Sequence, residues 1–146
     1  MCFPVPNGCP GVETRLSLAL SANRLNLQKF VEVTSTNAAK LYGLYPRKGA
    51  LIPEVSDADL TVWYAEGGMQ HYQLTNSMLH HNVDYTPYEG RAMKNWPRYT
   101  ILRGEIVWAK NEGGIVGKKG YGQFLKRDIS TLAGSRSQEE WDVEAF

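Results

Sequence analysis

Three histidines, His71, His80 and His81, with Asp84 just downstream, are the residues of this chain whose types suit metal chemistry. A catalytic zinc needs about three protein ligands and an open position. Neighbouring residues point to opposite faces of a strand and lie about 100° apart on a helix, so His80 and His81 are badly placed to share an ion. His81-x-x-Asp84 would close a site on a helix, but Tyr85-Thr86 and Pro87 speak against a helix there. The expected setting is a polar loop with surface or hydrogen-bonded histidines. Cys2 and Cys9 stand in a proline- and glycine-rich stretch and are expected as reduced thiols, and no Gly-x-Ser-x-Gly elbow occurs. The run GGIVGKKGYG at 113–122 lacks the Gly-Lys-Ser/Thr ending of a phosphate loop and reads as a turn region. Pro6-Asn7-Gly8 is different. Gly8 tolerates positive φ and Asn7 tolerates turn geometry, so this turn offers backbone N–H and C=O groups to a ligand. Glu13 and Arg15 nearby are placed to form local pairs.

The elements that must position these groups follow from pattern. The chain has 146 residues and a formal net charge of +1, enough for one ordinary domain and no electrostatic case for nucleic acid or an anionic membrane. No apolar run approaches the roughly 20 residues that cross a bilayer, and MCFPVPNGCPG lacks the start of a secretory signal, so the expectation is a soluble cytoplasmic protein. Helices are expected at about 13–22, 27–34 and 37–42, with Asn26 capping the second and one of Ser35, Thr36 or Asn37 capping the third. Gly43 is the expected stop. Lys48-Gly49 and the acidic stretch from Pro53 to Asp59 then turn the chain from helical to extended. A strand is expected at 60–65, and two strands joined by a tight Arg103-Gly104 turn at 99–108. Residues 66–98 read as a long irregular excursion of the kind that is functional or packed against something else. Glycines from Gly113 on break regular structure. The polar tail at 128–146, with isolated Trp141 and Phe146, is expected either disordered or docked on a partner.

The segment VEVTSTNAAKLYGLYPRKGALIPEVSDADLTVW at 31–63 resembles the dihydropyrimidinase and hydantoinase family of cyclic amidohydrolases. In that family TSTNPAKLYGLYPRKG followed by GSDADLVIW marks the passage from the last helices of a metal-dependent barrel into a small β-sandwich. Ala38 replaces the family's usual proline, and Val55 stands where a glycine precedes Ser-Asp-Ala-Asp. PNGCPGVETRL at 6–16, DYTPYEG at 84–90 and YTILRGEIVW at 99–108 match in the same order.

The resemblance implies an α/β fold: an incomplete carboxyl-terminal piece of a metal-dependent TIM-barrel amidohydrolase, followed by strands of the composite sandwich and an extended tail. Its parts are barrel loop and helices at 1–47, sandwich strands at 48–110 with a long loop at 66–98, and the tail at 111–146. The activity implied is hydrolytic opening of cyclic amides such as dihydropyrimidines or hydantoins. By resemblance Asn7 is the one substrate contact, its main chain hydrogen-bonding the cyclic amide. The family's two zinc ions, which generate hydroxide and polarise the carbonyl, are held by a His-x-His pair, a carbamylated lysine, two more histidines and an aspartate. All of these lie upstream of the Pro-Asn-Gly loop, so no catalytic residue, metal ligand or cofactor is expected on this chain alone. The alternative is a non-catalytic assembly module. It would self-associate through exposed strand edges at 60–65 and 99–108 and through an aromatic-bearing tail from Tyr121 to Phe146, which resembles an arm that packs subunits in the family.

Overall fold

The computed structural model of the chain describes residues 8–132. The expectations for Cys2, for Asn7 and for the tail beyond 132, with Trp141 and Phe146, fall outside these residues. Helix α1 spans Arg15–Ser21. It is anchored from below, since Thr14 is 1% exposed and its hydroxyl donates to the Gly11 carbonyl at 3.3 Å. Helix α2, Leu27–Val31, starts as expected: Asn26 is extended and its side chain accepts the Lys29 N–H at 2.8 Å, filling one of the free donors of a first turn.

The expected cap at 35–37 does not form. The chain runs from α2 through a π-helical turn, Glu32–Thr36, into α3, Asn37–Leu41, with Thr36 in helical conformation and making no capping bond. The hydroxyls are engaged elsewhere. Thr34 donates back to the Phe30 carbonyl at 2.6 Å, a bond available to any threonine inside a helix, and Thr36 donates to Gly49 O at 2.8 Å. Gly43, at φ 65°, ends the helix where expected. At Gly49, φ 74°, a Cβ would lie 2.6 Å from that of Ala39, so glycine there allows the chain to turn back against α3.

The basic turn is then tied to the acidic stretch. Lys48 pairs with Asp57 at 2.9 Å and with Asp59, Arg47 meets Asp57 at 3.0 Å, and Ser56 donates to Pro46 O at 2.8 Å. Partial burial of Lys48 opposes its charge, but the hydrogen bonds its ammonium donates to Asp59 and Asp57 outweigh this and hold its pKa above the ordinary lysine value. The same Lys48 bond, against a smaller desolvation, holds Asp57 below the usual carboxylate range.

Among the described residues six short strands follow: β1 Leu60–Trp63, β2 Tyr72–Gln73, β3 Ala92–Met93, β4 Pro97–Leu102, β5 Glu105–Ala109 and β6 Gly114–Ile115. Four form one antiparallel sheet in the order β1-β4-β5-β6, and β2 pairs with β3 separately. Arg103 and Gly104 both have positive φ, 48° and 85°, the two-residue turn whose twist matches a hairpin. Its tip is clipped to the junction, because Asp59 accepts the Arg103 N–H at 2.8 Å and Ala58 O accepts from Gly104 at 3.0 Å. The register puts Thr61 opposite Thr100, Thr100 opposite Trp108 and Trp108 opposite Ile115, one row across the sheet.

Three expectations change here. The strand at 60–65 stops at Trp63, after a register shift between Val62 and Trp63, and Trp63 meets Phe30 edge-on at 6.2 Å. Residues 99–108 are not a free edge, because β4 lies between β1 and β5. The excursion at 66–98 is mostly irregular, yet it holds the deepest core: Leu74 and Met93 are fully buried, Trp96 is nearly so, and Leu18 of α1 packs against them. From β6 to residue 132 the chain is an extended arm. Arg103 stacks on the Tyr121 ring at 4.3 Å, and the N–H groups of Asp128 and Thr131 bond the carbonyls of Gly43 and Lys40. The part of the tail that is described therefore docks on its own helix α3. Among the described residues no helix is long and apolar enough to cross a membrane.

Candidate functional site

The sequence placed ligand chemistry at Pro6-Asn7-Gly8, of which Gly8 alone is among the described residues, and the structure shows what holds the loop that follows, 8–13. Tyr85 donates its hydroxyl to Gly8 O at 2.7 Å. Tyr88 approaches the exposed Cys9 Sγ at 3.7 Å, an interaction that raises the tyrosine's pKa. Glu13 does not pair with Arg15 as its neighbour suggested. One carboxylate oxygen accepts the His80 backbone N–H at 2.8 Å and the other meets His80 Nδ1 at 2.8 Å. A carboxylate only accepts, so Nδ1 carries a proton toward Glu13.

Two motifs far apart in sequence, PNGCPGVETRL and DYTPYEG with the residues just before it, thus fold against each other. The reason is local on each side. Prolines and glycines keep 8–13 from forming regular structure and leave carbonyls to be bonded. On the other side, Asn76 receives Glu89 through its backbone N–H at 2.7 Å and donates its amide to Val83 O at 3.2 Å, bracing the 76–89 stretch. Asn7 itself lies outside the described residues, one position before the Gly8 carbonyl that Tyr85 fixes.

Two clefts border this loop. The first, about 660 Å³, opens between the loop and α1, with Cys9, Arg15, Tyr88 and Arg91 among its lining. The second, about 380 Å³, lies between α1 and the sheet and is lined by Glu13, Leu16, His80, Trp96 and the row from Thr61 to Ile115. A third hollow of about 510 Å³ separates α2 and its π-helical turn from β1.

The histidines do not converge. His80 is bound to Glu13, His81 Nδ1 accepts the Val83 N–H at 3.2 Å with its Nε2 buried and unpartnered, and His71 joins neither. Among the described residues no group of three or more His, Cys, Asp or Glu side chains is placed to hold a metal. The donor set that a binuclear zinc centre needs is not among them. Other perturbed groups lie elsewhere: burial pushes the Tyr72 hydroxyl far up and depresses Lys110, whose ammonium stands 5.6 Å from the Tyr72 ring. The Glu13–His80 pair, 67 residues apart in sequence, was missed by local reading, which has no signal for such a contact.

No family model matches the chain. Among curated proteins it is 39% identical over 126 residues to a D-hydantoinase of Ralstonia pickettii, covering 84% of this chain and 26% of that protein. It is 40% identical over 126 residues to a D-phenylhydantoinase of Escherichia coli O1:K1, with the same coverage of 84% and 26%. A crystal structure of D-hydantoinase superposes with TM-score 0.76 at 38% identity, covering 85% of this chain and 26% of that one. A D-hydantoinase (dihydropyrimidinase) from Thermus sp. superposes with TM-score 0.76 at 36% identity, over 86% of this chain and 27% of that one. The chain spans about a quarter of the length of the curated relatives it matches.

Proposed function

With this chain a member of the dihydropyrimidinase and D-hydantoinase family over the stretch it shares with those proteins, we propose that it is the carboxyl-terminal portion of a hydrolase that opens cyclic amides. The bonds broken are ring C–N bonds of dihydropyrimidines or hydantoins. The observation that carries the reading is the likeness at 39% identity over 126 residues, in which two of the matching motifs meet at the 8–13 loop. In this reading residues 1–47 are the closing loop and helices of a barrel, 48–110 are sandwich strands, and 111–146 are an arm.

The role assigned to this chain's residues is positioning. Asn7 offers its main chain to the cyclic amide. Tyr85 fixes the next carbonyl, and Glu13 with His80 pins the loop to the excursion. Hydroxide generation and carbonyl polarisation would come from a binuclear zinc centre, for which the described residues offer no ligands. The chain is therefore not expected to hydrolyse alone, and no step is assigned to it.

The test is direct. The purified chain is assayed for zinc content and for ring opening of dihydrouracil and 5-phenylhydantoin, and the coding sequence upstream of Met1 is read. The reading expects neither bound zinc nor turnover from the chain alone, and a His-x-His pair and a metal-bridging lysine encoded upstream. Stoichiometric zinc with ring opening by the 146 residues would overturn it.

A second reading, a non-catalytic assembly module, is favoured by one observation: apolar side chains on the arm stand in solvent, Phe124 93% and Ile129 90% exposed. It expects concentration-dependent self-association that Phe124→Ser with Ile129→Ser abolishes. A chain that stays monomeric at high concentration excludes it.

A further inference from the structure

Two carboxylates that stand beside arginines in the sequence are engaged elsewhere in the fold. Glu13 lies two residues before Arg15, yet its oxygens take the His80 backbone N–H and Nδ1, both at 2.8 Å. Glu89 lies two residues before Arg91, and it accepts the Asn76 N–H at 2.7 Å. Among the described residues neither guanidinium has a hydrogen bond or an ion pair. Two cations are left without counter-charges.

Both arginines border one cleft, the hollow of about 660 Å³ between the 8–13 loop and α1, and no aspartate or glutamate is among the described residues that line it. Each arginine is fixed at its backbone. The Arg15 N–H donates to Gly11 O at 3.0 Å; the Arg91 N–H donates to Tyr88 O at 3.1 Å, and its carbonyl takes the N–H of the buried Leu74 at 2.9 Å. The 88–91 turn thereby sets Tyr88 beside Arg91. Cys9 raises the pKa of the phenol, and the Arg91 charge is near enough to pull against that rise. A Cβ built on Gly11 would lie 3.9 Å from the Tyr88 hydroxyl, so this donor sits over the loop, at the cleft it lines. Leu18 and Ala19 supply apolar lining.

One exposed guanidinium holds a single charge weakly. Two that border one cleft act together on a dianion, and the guanidinium fork matches phosphate oxygens, with charged hydrogen bonds about twice as strong as neutral ones. Apolar lining with a few polar groups is the usual form of a small-molecule site. We propose that this cleft binds a phosphate monoester with an apolar body, its phosphate on Arg15 and Arg91 and its body on Leu18 and Ala19. The site makes no use of the Asn7 main chain, and it does not depend on the hydrolase reading.

Phenyl phosphate is the probe, titrated into the full 146-residue chain while backbone amide and arginine Nε–H resonances are followed. Saturable shifts are expected at Arg15, Arg91 and Tyr88, with an affinity that falls as salt is raised. Arg15→Gln and Arg91→Gln should each weaken binding about tenfold, the size of one hydrogen bond to a charged group. Lys118→Gln with Lys119→Gln removes more positive charge from the chain than either and should leave the affinity unchanged. Inorganic phosphate, which lacks the body, should bind severalfold more weakly, and phenol should not bind measurably. The resonance shifts and the ligand series need no variant to fold. The proposal is overturned by equal affinity in the parent chain and either arginine variant, or by a loss in the lysine variant as large as theirs. Shifts that miss Arg15 and Arg91, phenol binding as tightly as its phosphate, or no binding at millimolar phenyl phosphate would overturn it as well.

Discussion

The junction at 31–63 and the excursion at 66–98 are opposites. The junction has every local signal, yet much of its apolar surface faces solvent: Val31 is 52% exposed, Leu41 49% and Leu51 76%. Its polar links run from Thr36, bonded to Gly49, to the Lys48 network. The excursion has almost no periodic pattern, and it contains Leu74 and Met93 at 0% exposure together with the clamps on the 8–13 loop. Regular sequence and energetic weight are therefore separate properties, because burial depends on what a segment packs against rather than on its own period.

The sharpest way to break this comparison is truncation of one buried and one exposed leucine. Leu74→Ala is expected to cost about 2–5 kcal/mol through lost transfer energy and a residual cavity, while Leu51→Ala stays within about 0.5 kcal/mol. Urea midpoints at matched m-values measure both. Equal costs would show that the excursion is not the core.

Next in size are two glycines at similar φ, one in each region. Gly49 at 74° is crowded by Ala39, and Gly90 at 72° has nothing within 4 Å of a would-be Cβ. Gly90→Ala carries only backbone strain, about 1 kcal/mol. Gly49→Ala adds the overlap with α3 and is expected to cost about 2–3 kcal/mol in thermal unfolding. If the two match, α3 does not pack tightly on the turn.

The same contrast explains what could be read in advance. Asn26, Gly43 and Arg103-Gly104 were legible because each acts on the chain beside it: a cap, a stop and a turn need no distant partner. The cap expected among Ser35, Thr36 and Asn37 failed because the π-helical turn Glu32–Thr36 runs straight into α3 and leaves no free first turn, while the Thr36 hydroxyl donates to Gly49, a contact set by tertiary packing. The hairpin was legible, but its interior place in the sheet was not, since β1 joins it from 37 residues upstream. At the site, both motif segments were singled out by resemblance. Their contact through Glu13, His80 and Tyr85 was invisible because nothing in either stretch names the other.

A smaller effect tests how polar the junction's support is. Asp57 has its pKa lowered from an ordinary 3.8 by its bond to Lys48, so its contribution is present above that value and is lost as pH falls through the folded pKa. Lys48 has its pKa raised from 10.5, with its bonds to Asp59 and Asp57 overcoming desolvation, so its contribution is whole below that value and is lost as pH rises through the folded pKa. Lys48→Met is expected to cost on the order of 1 kcal/mol at neutral pH. The difference from the parent chain should shrink at pH 3 and again at pH 11, read from urea midpoints. A deficit independent of pH would assign the loss to packing of the lysine stem.

The smallest expected effect on global stability is the most informative about the site. Tyr85→Phe removes only the hydroxyl that holds Gly8 O, across 77 residues of sequence. The bond is exposed, so the cost is about 0.5–1 kcal/mol or less. Its consequence is local. With the carbonyl released, amide exchange at Gly8 and Cys9 should accelerate severalfold, while exchange at Leu74 and Met93 stays unchanged because their burial does not involve Tyr85. Glu13→Gln should loosen the same loop from its other end and retain partial protection, since a glutamine oxygen still accepts the His80 backbone N–H. If Tyr85→Phe instead loosens the Leu74 core, loop and excursion form one cooperative unit, and the excursion does more than clamp the loop.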